Sequence, residues 1–355
     1  MKYNFYPGPA ILPREVMNEA AEAVIDFNGM GFSILEISHR SKEFIAVMDE
    51  AQALVKELLQ VPDDFEVLFL GGGASLQFAM APMNLLDGDS KAAYTDTGTW
   101  ANKAIKDGKL YGKVDVIASS KDKNYSYIPK GFKIDPEYKF LHITSNNTIA
   151  GTQYKSFPVT EVPLVCDMSS DIFSRTIDVN AFDLIYAGAQ KNMGPSGTTL
   201  VIIRKSALGK VTRDIPAMMN YQNHIDAGSM YNTPPVFPVY VSMLTLRWVK
   251  ANGGVAAIQK RNEEKANALY AEIERNPLFY TPTATEDRSN MNVCFLLKDS
   301  EKEKLFISKA KEAGCIGIEG HRSVGGFRAS IYNAMSIEGV QCLISVMQDF
   351  EQAHG

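Results

Sequence analysis

Between Ser41 and Gln60, apolar side chains fall at Phe44, Ile45, Val47, Met48, Ala51, Leu54, Val55, Leu58 and Leu59, with polar residues between them. That spacing is the repeat of one helical face, and Ser41 supplies a hydroxyl where an N-cap belongs. A different rhythm follows. Glu66-Val67-Leu68-Phe69-Leu70 is a short, nearly continuous apolar run, as a buried strand requires; it stops at Gly71-Gly72-Gly73, ahead of a helical stretch from Ser75 to Leu86. Further strands are expected at Ala92-Ala93-Tyr94, Val114 to Ile117, Phe140 to Ile143, Val162 to Cys166, Leu184 to Ala187 and Leu200 to Ile203. Strands separated by helices imply an α/β fold with a mostly parallel sheet and crossover connections. A helix from Val236 to Asn252 ends at Gly253-Gly254, the best candidate for a domain boundary. Beyond it, a long charged helix, a strand at Asn292 to Leu297, a helix near Lys304 to Ala313 and strands near Ile316 and Arg328 read as a smaller α+β domain. The expected division is 16–254 for the large domain, and 1–15 with 255–355 for the small one. No internal repeat or low-complexity tract is visible.

Composition narrows the function classes. The 355 residues are 45% hydrophobic and 22% charged, which suits a globular enzyme with a large core. A formal net charge of -5, with no dense basic block, argues against nucleic acid as the main partner. No segment approaches the roughly 18 uncharged residues of a membrane span, and Met1 to Pro9 has no apolar signal-peptide core, so a cytoplasmic protein is expected. Four widely spaced cysteines, Cys166, Cys294, Cys315 and Cys342, show no C-x-x-C and no metal-ligand spacing; they read as reduced core thiols, and no metal is expected.

The candidate chemistry lies around Ala187-Gly188-Ala189-Gln190-Lys191-Asn192-Met193-Gly194-Pro195-Ser196-Gly197, a tight turn between two apolar strands. A single lysine among small residues beside a core is how a Schiff-base amine is presented. Taken alone, Lys191 reads first as an ordinary solvated loop lysine. Upstream, Val162 to Cys166 runs into Asp167-Met168-Ser169-Ser170, placing a carboxylate at a strand end, where it either caps the turn or serves chemistry. Pyridoxal phosphate needs both groups: a lysine for its aldehyde and an acid that keeps its ring nitrogen protonated. The Gly71-Gly72-Gly73-Ala74-Ser75 stretch between strand and helix offers free backbone amides to a phosphate. A dinucleotide site competes for this stretch, but the G-x-G-x-x-G spacing is not met.

At this point the chain resembles the phosphoserine aminotransferases, within the class V, fold type I pyridoxal-phosphate enzymes, nearly end to end. The resemblance is carried by Asn4-Phe5 with Gly8-Pro9-Ala10, Ser38-His39-Arg40-Ser41, the Gly71 to Gly73 triplet, Tyr186 to Asn192, Asn232-Thr233-Pro234-Pro235, and His321 to Met335. It implies a large seven-stranded α/β domain flanked by helices and a small α+β domain. It also implies Lys191 as the Schiff-base and proton-transfer residue and Asp167 as the partner of the pyridinium nitrogen. Ala74, Ser75, Trp100, Thr148, Gln190, Asn232 and Thr233 become the remaining cofactor contacts, with Trp100 stacking on the ring and Asn232 and Thr233 reaching the neighbouring subunit's phosphate. Arg328 becomes the α-carboxylate partner, while His39, Arg40, His321 and Arg322 would read the distal anion, contributed by different subunits. A homodimer with shared active sites follows from the resemblance.

The implied reaction moves an amino group between glutamate and 3-phosphohydroxypyruvate, giving phosphoserine and 2-oxoglutarate for serine biosynthesis; 4-phosphohydroxythreonine of pyridoxine biosynthesis stays open as a second substrate. Two departures touch substrate binding: Ala74-Ser75 stands where some relatives place an arginine after the triplet, and Pro7 replaces a serine. The competing readings are an aminotransferase for another small amino acid, which the two His-Arg pairs argue against, and a non-catalytic phosphate-ligand binder, which Asp167, Gln190 and Lys191 argue against.

Overall fold

The computed structural model describes residues 2–355. Its first half contains β1 (Tyr3–Asn4), α1 (Arg14–Ile25), α2 (Lys42–Leu59), β2 (Phe65–Leu70), α3 (Gly73–Leu85), β3 (Lys91–Asp96), α4 (Thr99–Gly108), β4 (Lys113–Ser119), β5 (Leu141–Thr144), β6 (Asn146–Asn147), β7 (Thr152–Gln153) and β8 (Leu164–Asp167). There follow β9 (Leu184–Gly188), β10 (Thr199–Arg204), α5 (Tyr221–Asp226), α6 (Val236–Ala251), α7 (Gly254–Arg275), β11 (Phe279–Tyr280), β12 (Asn292–Leu297), α8 (Glu303–Glu312), β13 (Cys315–Ile316), β14 (Phe327–Ser330) and α9 (Ile337–His354).

Seven strands form one sheet in the order β2-β10-β9-β8-β5-β3-β4. All run parallel except β10, which is antiparallel to both β2 and β9. The turn after β9 is too short for a crossover, so β10 has to return beside its predecessor. Helices cover both faces. Alternate residues of β9 and β10 belong to opposite cores: Ile185, Ala187, Leu200 and Ile202 pack with α2 and α6, whereas Leu184, Tyr186, Val201 and Ile203 pack toward Phe78 of α3 and Tyr221. This two-sided burial is why the strands read as unbroken apolar runs. On α2, the Ser41 hydroxyl accepts from Phe44 N at 3.3 Å, confirming the cap read from sequence.

A third core joins the C-terminal elements, with Phe279, Phe295, Phe306, Phe327 and Phe350 packed ring against ring at centroid distances of 4.8 to 6.5 Å. Phe5 joins this core because β1 pairs in parallel with β13, Tyr3 opposite Cys315. α7 belongs to both regions: Val255 and Ile258 enter the large core, Leu269 and Ile273 the small one.

Two readings need correction. The helix expected from Ser75 begins at Gly73, because Gly72 takes φ +90 and turns the chain two residues earlier. A Cβ on Gly72 would lie 2.4 Å from Leu76 Cδ2, so glycine is required there for space as well as conformation. The cysteines are free, yet they are not four isolated core thiols: Cys342 is only half-buried, and its sulfur lies 3.6 Å from that of buried Cys315. Their sequence separation concealed this pairing across β13 and α9. Among the described residues, no helix is long and apolar enough to cross a membrane.

Candidate active site

Asp167 is the last residue of β8, at the sheet's centre, and the β9 to β10 turn carries Lys191 beside it. Carboxyl ends of parallel strands are where an α/β sheet leaves a crevice. The turn is closed by its own backbone: Lys191 N donates to Ala189 O at 2.7 Å, Gly194 N to the same oxygen at 2.9 Å, and Ala189 N to Thr198 O at 3.1 Å. From outside, Ala10 N donates to Gln190 O at 2.9 Å. The lysine stem therefore leaves a backbone fixed at several points.

Thr148 ties two cations together. Lys191 Nζ donates to Thr148 Oγ1 at 2.9 Å, and Arg328 Nη1, reaching over from β14, donates to the Thr148 carbonyl at 3.2 Å. Burial lowers the Lys191 amine from 10.5 to about 8; the Asp167 charge opposes that fall and the Arg328 charge adds to it. Burial also raises the Asp167 carboxyl, while hydrogen bonds from Ser169 and the Lys191 charge pull it back toward ionisation. Ser169 N donates to Asp167 Oδ1 at 2.9 Å, and the Ser169 hydroxyl accepts from Gly188 N at 3.1 Å, locking the ends of β8 and β9 together. Arg328 is 7% exposed, and its Nε has no protein partner. A buried, unsatisfied guanidinium edge beside a cavity is suited to a carboxylate.

The cavity between these groups has a volume of about 300 Å³. Ala74, Ser75 and Trp100 line it from the α3 and α4 ends; Thr148, Asp167, Gln190 and Lys191 from the sheet; and His321 and Arg328 from the C-terminal region. No side chain caps the start of α3, so its first amides remain available to an anion. Gly188 passes close beneath them: a Cβ there would lie 3.6 Å from Ala74 N. An uncapped helix start, an amine of lowered pKa and a buried carboxylate form a donor set that fits pyridoxal phosphate.

The structure does not bring every candidate together. Asn232, Thr233, Arg40 and Arg322 are exposed, His39 is half-buried, and none of these five lines the cavity of the single chain. His321 does line it, with Nδ1 2.7 Å from the Ser323 hydroxyl. Burial, then the charges of Arg328, Arg322 and Lys103, hold its imidazole below the usual range. Pro7 and Gly8 also form part of the wall.

Sequence reasoning missed the polar layer behind Asp167. Asp171 accepts from Gln153 Nε2 and Arg175 Nη2, each at 3.1 Å, and from the Ser145 hydroxyl. Asn146 Nδ2 donates to Ser170 Oγ and to Asn292 Oδ1, both at 2.8 Å, linking the sheet to β12. The serine pair after Asp167 was the only sign of it in the sequence.

Comparison with known proteins agrees with this geometry. The family model described as Aminotransferase class-V matches residues 2–343. A phosphoserine aminotransferase of Flavobacterium johnsoniae is 59% identical over 351 residues, covering 99% of each chain. Among solved structures, the phosphoserine aminotransferase from Bacillus circulans subsp. alkalophilus superposes with a TM-score of 0.97 at 44% identity, covering 100% of this chain and 99% of that one. The pyridoxal-phosphate-bound phosphoserine aminotransferase of Trichomonas vaginalis matches with a TM-score of 0.93 at 35% identity, covering 98% of this chain and 100% of that one.

Proposed function

The chain belongs to the class-V aminotransferase family, and from that premise we infer that it catalyses the phosphoserine aminotransferase reaction. It is a pyridoxal-phosphate-dependent transaminase that exchanges an amino group between L-glutamate and 3-phosphohydroxypyruvate, giving O-phospho-L-serine and 2-oxoglutarate, a step of serine biosynthesis. The observation that carries this reading is the anchoring of Lys191 and Arg328 on one residue, Thr148, with Asp167 on the same cavity.

When bound, pyridoxal phosphate supplies an aldehyde that condenses with amino groups and a cationic ring that draws electrons from the substrate Cα. The residues divide the remaining work. Asp167 would support the ring's positive charge, the α3 amides with Ser75 and Gln190 would hold the phosphate, and Trp100 would supply an aromatic face that excludes water. Arg328 holds the substrate α-carboxylate in a two-pronged grip, fixing Cα within reach of Lys191. The Lys191 amine, neutral in part near pH 8, takes a proton from Cα and returns it on the other side of the transfer.

Several parts of the reading go further. Asn232, Thr233, His39 and Arg40 act across a homodimer interface, each subunit completing its neighbour's site; their exposure outside the single-chain cavity supports this. His321 and Arg322 receive the distal phosphate or carboxylate, and 4-phosphohydroxythreonine, which shares both anionic ends, is a second substrate. Residues 16–254 form the cofactor-bearing unit, and 1–15 with 255–355 the small one. The enzyme works in the cytoplasm without nucleic-acid or membrane partners.

The deciding experiment is the visible spectrum of the purified protein before and after glutamate, then phosphoserine, with borohydride trapping at Lys191. A yellow protein bleached by both donors supports the assignment. Bleaching by another amino acid, with no response to phosphoserine, would overturn the substrate, and a protein colourless even with added pyridoxal phosphate would overturn the enzymology.

A further inference from the structure

The three charged groups of the site lie far apart in sequence, on segments that each run on a few residues and then converge. Asp167 leads into Phe173 and Ser174, Lys191 is followed by Asn192, and the Arg328 strand continues to Asn333. Asn333 touches both of the other segments. Its backbone N–H donates to Asn192 Oδ1 at 3.0 Å, and its side-chain amide donates to the Phe173 carbonyl at 3.0 Å. A fourth element joins from α7: Asn262 Nδ2 donates to Asn333 Oδ1 at 2.8 Å and to the Ser174 carbonyl at 3.0 Å. Phe173 holds φ +56, a left-handed conformation that a phenylalanine rarely adopts unless its surroundings impose it.

The node itself is held in place from below. Lys265, 2% exposed, donates to the carbonyls of Ile331, Tyr332 and Met335 at 3.0, 2.8 and 2.9 Å, so the chain on both sides of Asn333 is clamped onto α7. Asn192, Asn262 and Asn333 are 4%, 1% and 8% exposed, so water offers no ready substitute for these bonds. Small residues would fill the same space without the bonds. Buried amides bonded across a junction of four segments, with only Asn262 Oδ1 left without a partner, favour one relative placement of those segments.

We propose that Asn333, through Asn192 and Asn262, is a positioning residue that sets the placement of Lys191 and Arg328 relative to Asp167. It touches neither cofactor nor substrate; it fixes the three segments from behind. The proposal rests on the transaminase reading, but its primary test does not use the reaction.

That test compares Asn333→Ala and Asn192→Ala with Asn276→Ala. Asn276 is an equally buried amide, 1% exposed, bonded to Glu272 and the Met347 carbonyl away from the site, so its loss costs stability alone. In cofactor-free protein, the pH dependence of acetic anhydride labelling of Lys191 reports the setting of the amine. Asn333→Ala should move the labelling midpoint toward that of free lysine by about one pH unit. In the loaded enzyme, kcat/KM for glutamate should fall at least about tenfold, with kcat and KM both affected. The Asn192→Ala and Asn333→Ala losses should be less than additive when combined, since both break one chain of bonds. A folded Asn333→Ala protein with an unmoved midpoint and kcat/KM within about twofold of the parent refutes the proposal, as does an Asn276→Ala protein that moves both equally. If Asn333→Ala does not fold, Asn192→Ala, which deletes the Oδ1 acceptor and a long Nδ2 bond to Met291 Sδ at 3.5 Å, decides by the same two readings.

Discussion

The Lys191 amine should be far more reactive near neutrality than a lysine in water, and the cofactor-free protein is the place to measure it. Burial brings this amine from 10.5 to about 8. At pH 7 the neutral fraction then rises from about 0.0003 to about 0.1, a gain of roughly 300-fold in the form that attacks an aldehyde. Competitive acetic anhydride labelling, read by peptide mass spectrometry against N-acetyl-lysine methylamide in the same vessel, follows this one amine as pH is varied. The expected midpoint is near 8. Asp167→Asn gives the sign test: the Asp167 charge favours the ammonium form, so its removal should carry the midpoint lower still. The linkage has a definite direction too. A lysine whose folded pKa lies below its unfolded value binds fewer protons when folded, so its penalty applies below about pH 8 and is relieved as pH rises toward 10.5. Its ceiling is about 3 kcal/mol, and less in practice because the cavity admits water. Lys155 and Lys265 are also lowered by burial, to about 8 and about 7, so global melting would blend three titrations where labelling separates them. A midpoint at or above 10, or an upward move in Asp167→Asn, would refute the reasoning.

Other expectations follow from single contacts. Lys191→Ala should bind pyridoxal phosphate without covalent attachment and lose at least about a thousandfold in turnover; normal turnover would remove Lys191 from its role. Arg328→Lys keeps the charge but not the fork, and kcat/KM for glutamate should drop about 10- to 100-fold, mainly through KM, matching about 1.5–3 kcal/mol for a charged hydrogen bond; an unchanged KM would exclude Arg328 as the carboxylate partner. Gly72→Ala meets both a φ of +90 and a 2.4 Å approach to Leu76, so a stability loss of about 1–3 kcal/mol is expected by denaturant titration, with weaker binding of pyridoxal phosphate to cofactor-free protein. A variant as stable as the parent would show that the α3 start can be formed without glycine.

All seven strands of the large sheet could be found in the sequence because residues such as Leu184, Ile185 and Tyr186 are apolar in succession, and two-sided burial demands that. The direction of β10 could not be found, since periodicity is blind to polarity; it was set by a turn too short to cross the sheet. Lys191, Asp167 and the Gly71 to Gly73 turn were legible because each stands at a strand end. Arg328 and Thr148 came from resemblance, and only the fold shows that one holds the other. Asn146, Asp171 and Asn333 were not singled out: apart from Arg175, four residues beyond Asp171, their partners lie from 18 to 160 positions away, too far for periodicity to connect. His39, Arg40, Asn232 and Thr233, named from resemblance, lie outside the cavity of the single chain.

The pairing of β1 with β13 also orders events in time. A ribosome adding about 5–20 residues each second makes Tyr3 and Asn4 some 15–60 seconds before Cys315 and Ile316 exist. Through that interval the central strands, from β2 to β10, can already assemble, with Asp167 and Lys191 in place and no wall in front of them. Pro7 and Gly8 swing into position, and Arg328 arrives, only as the last quarter of the chain emerges. The crevice is thus built open and closed last, so the burial that makes the Lys191 amine reactive is completed only when the end of the chain arrives.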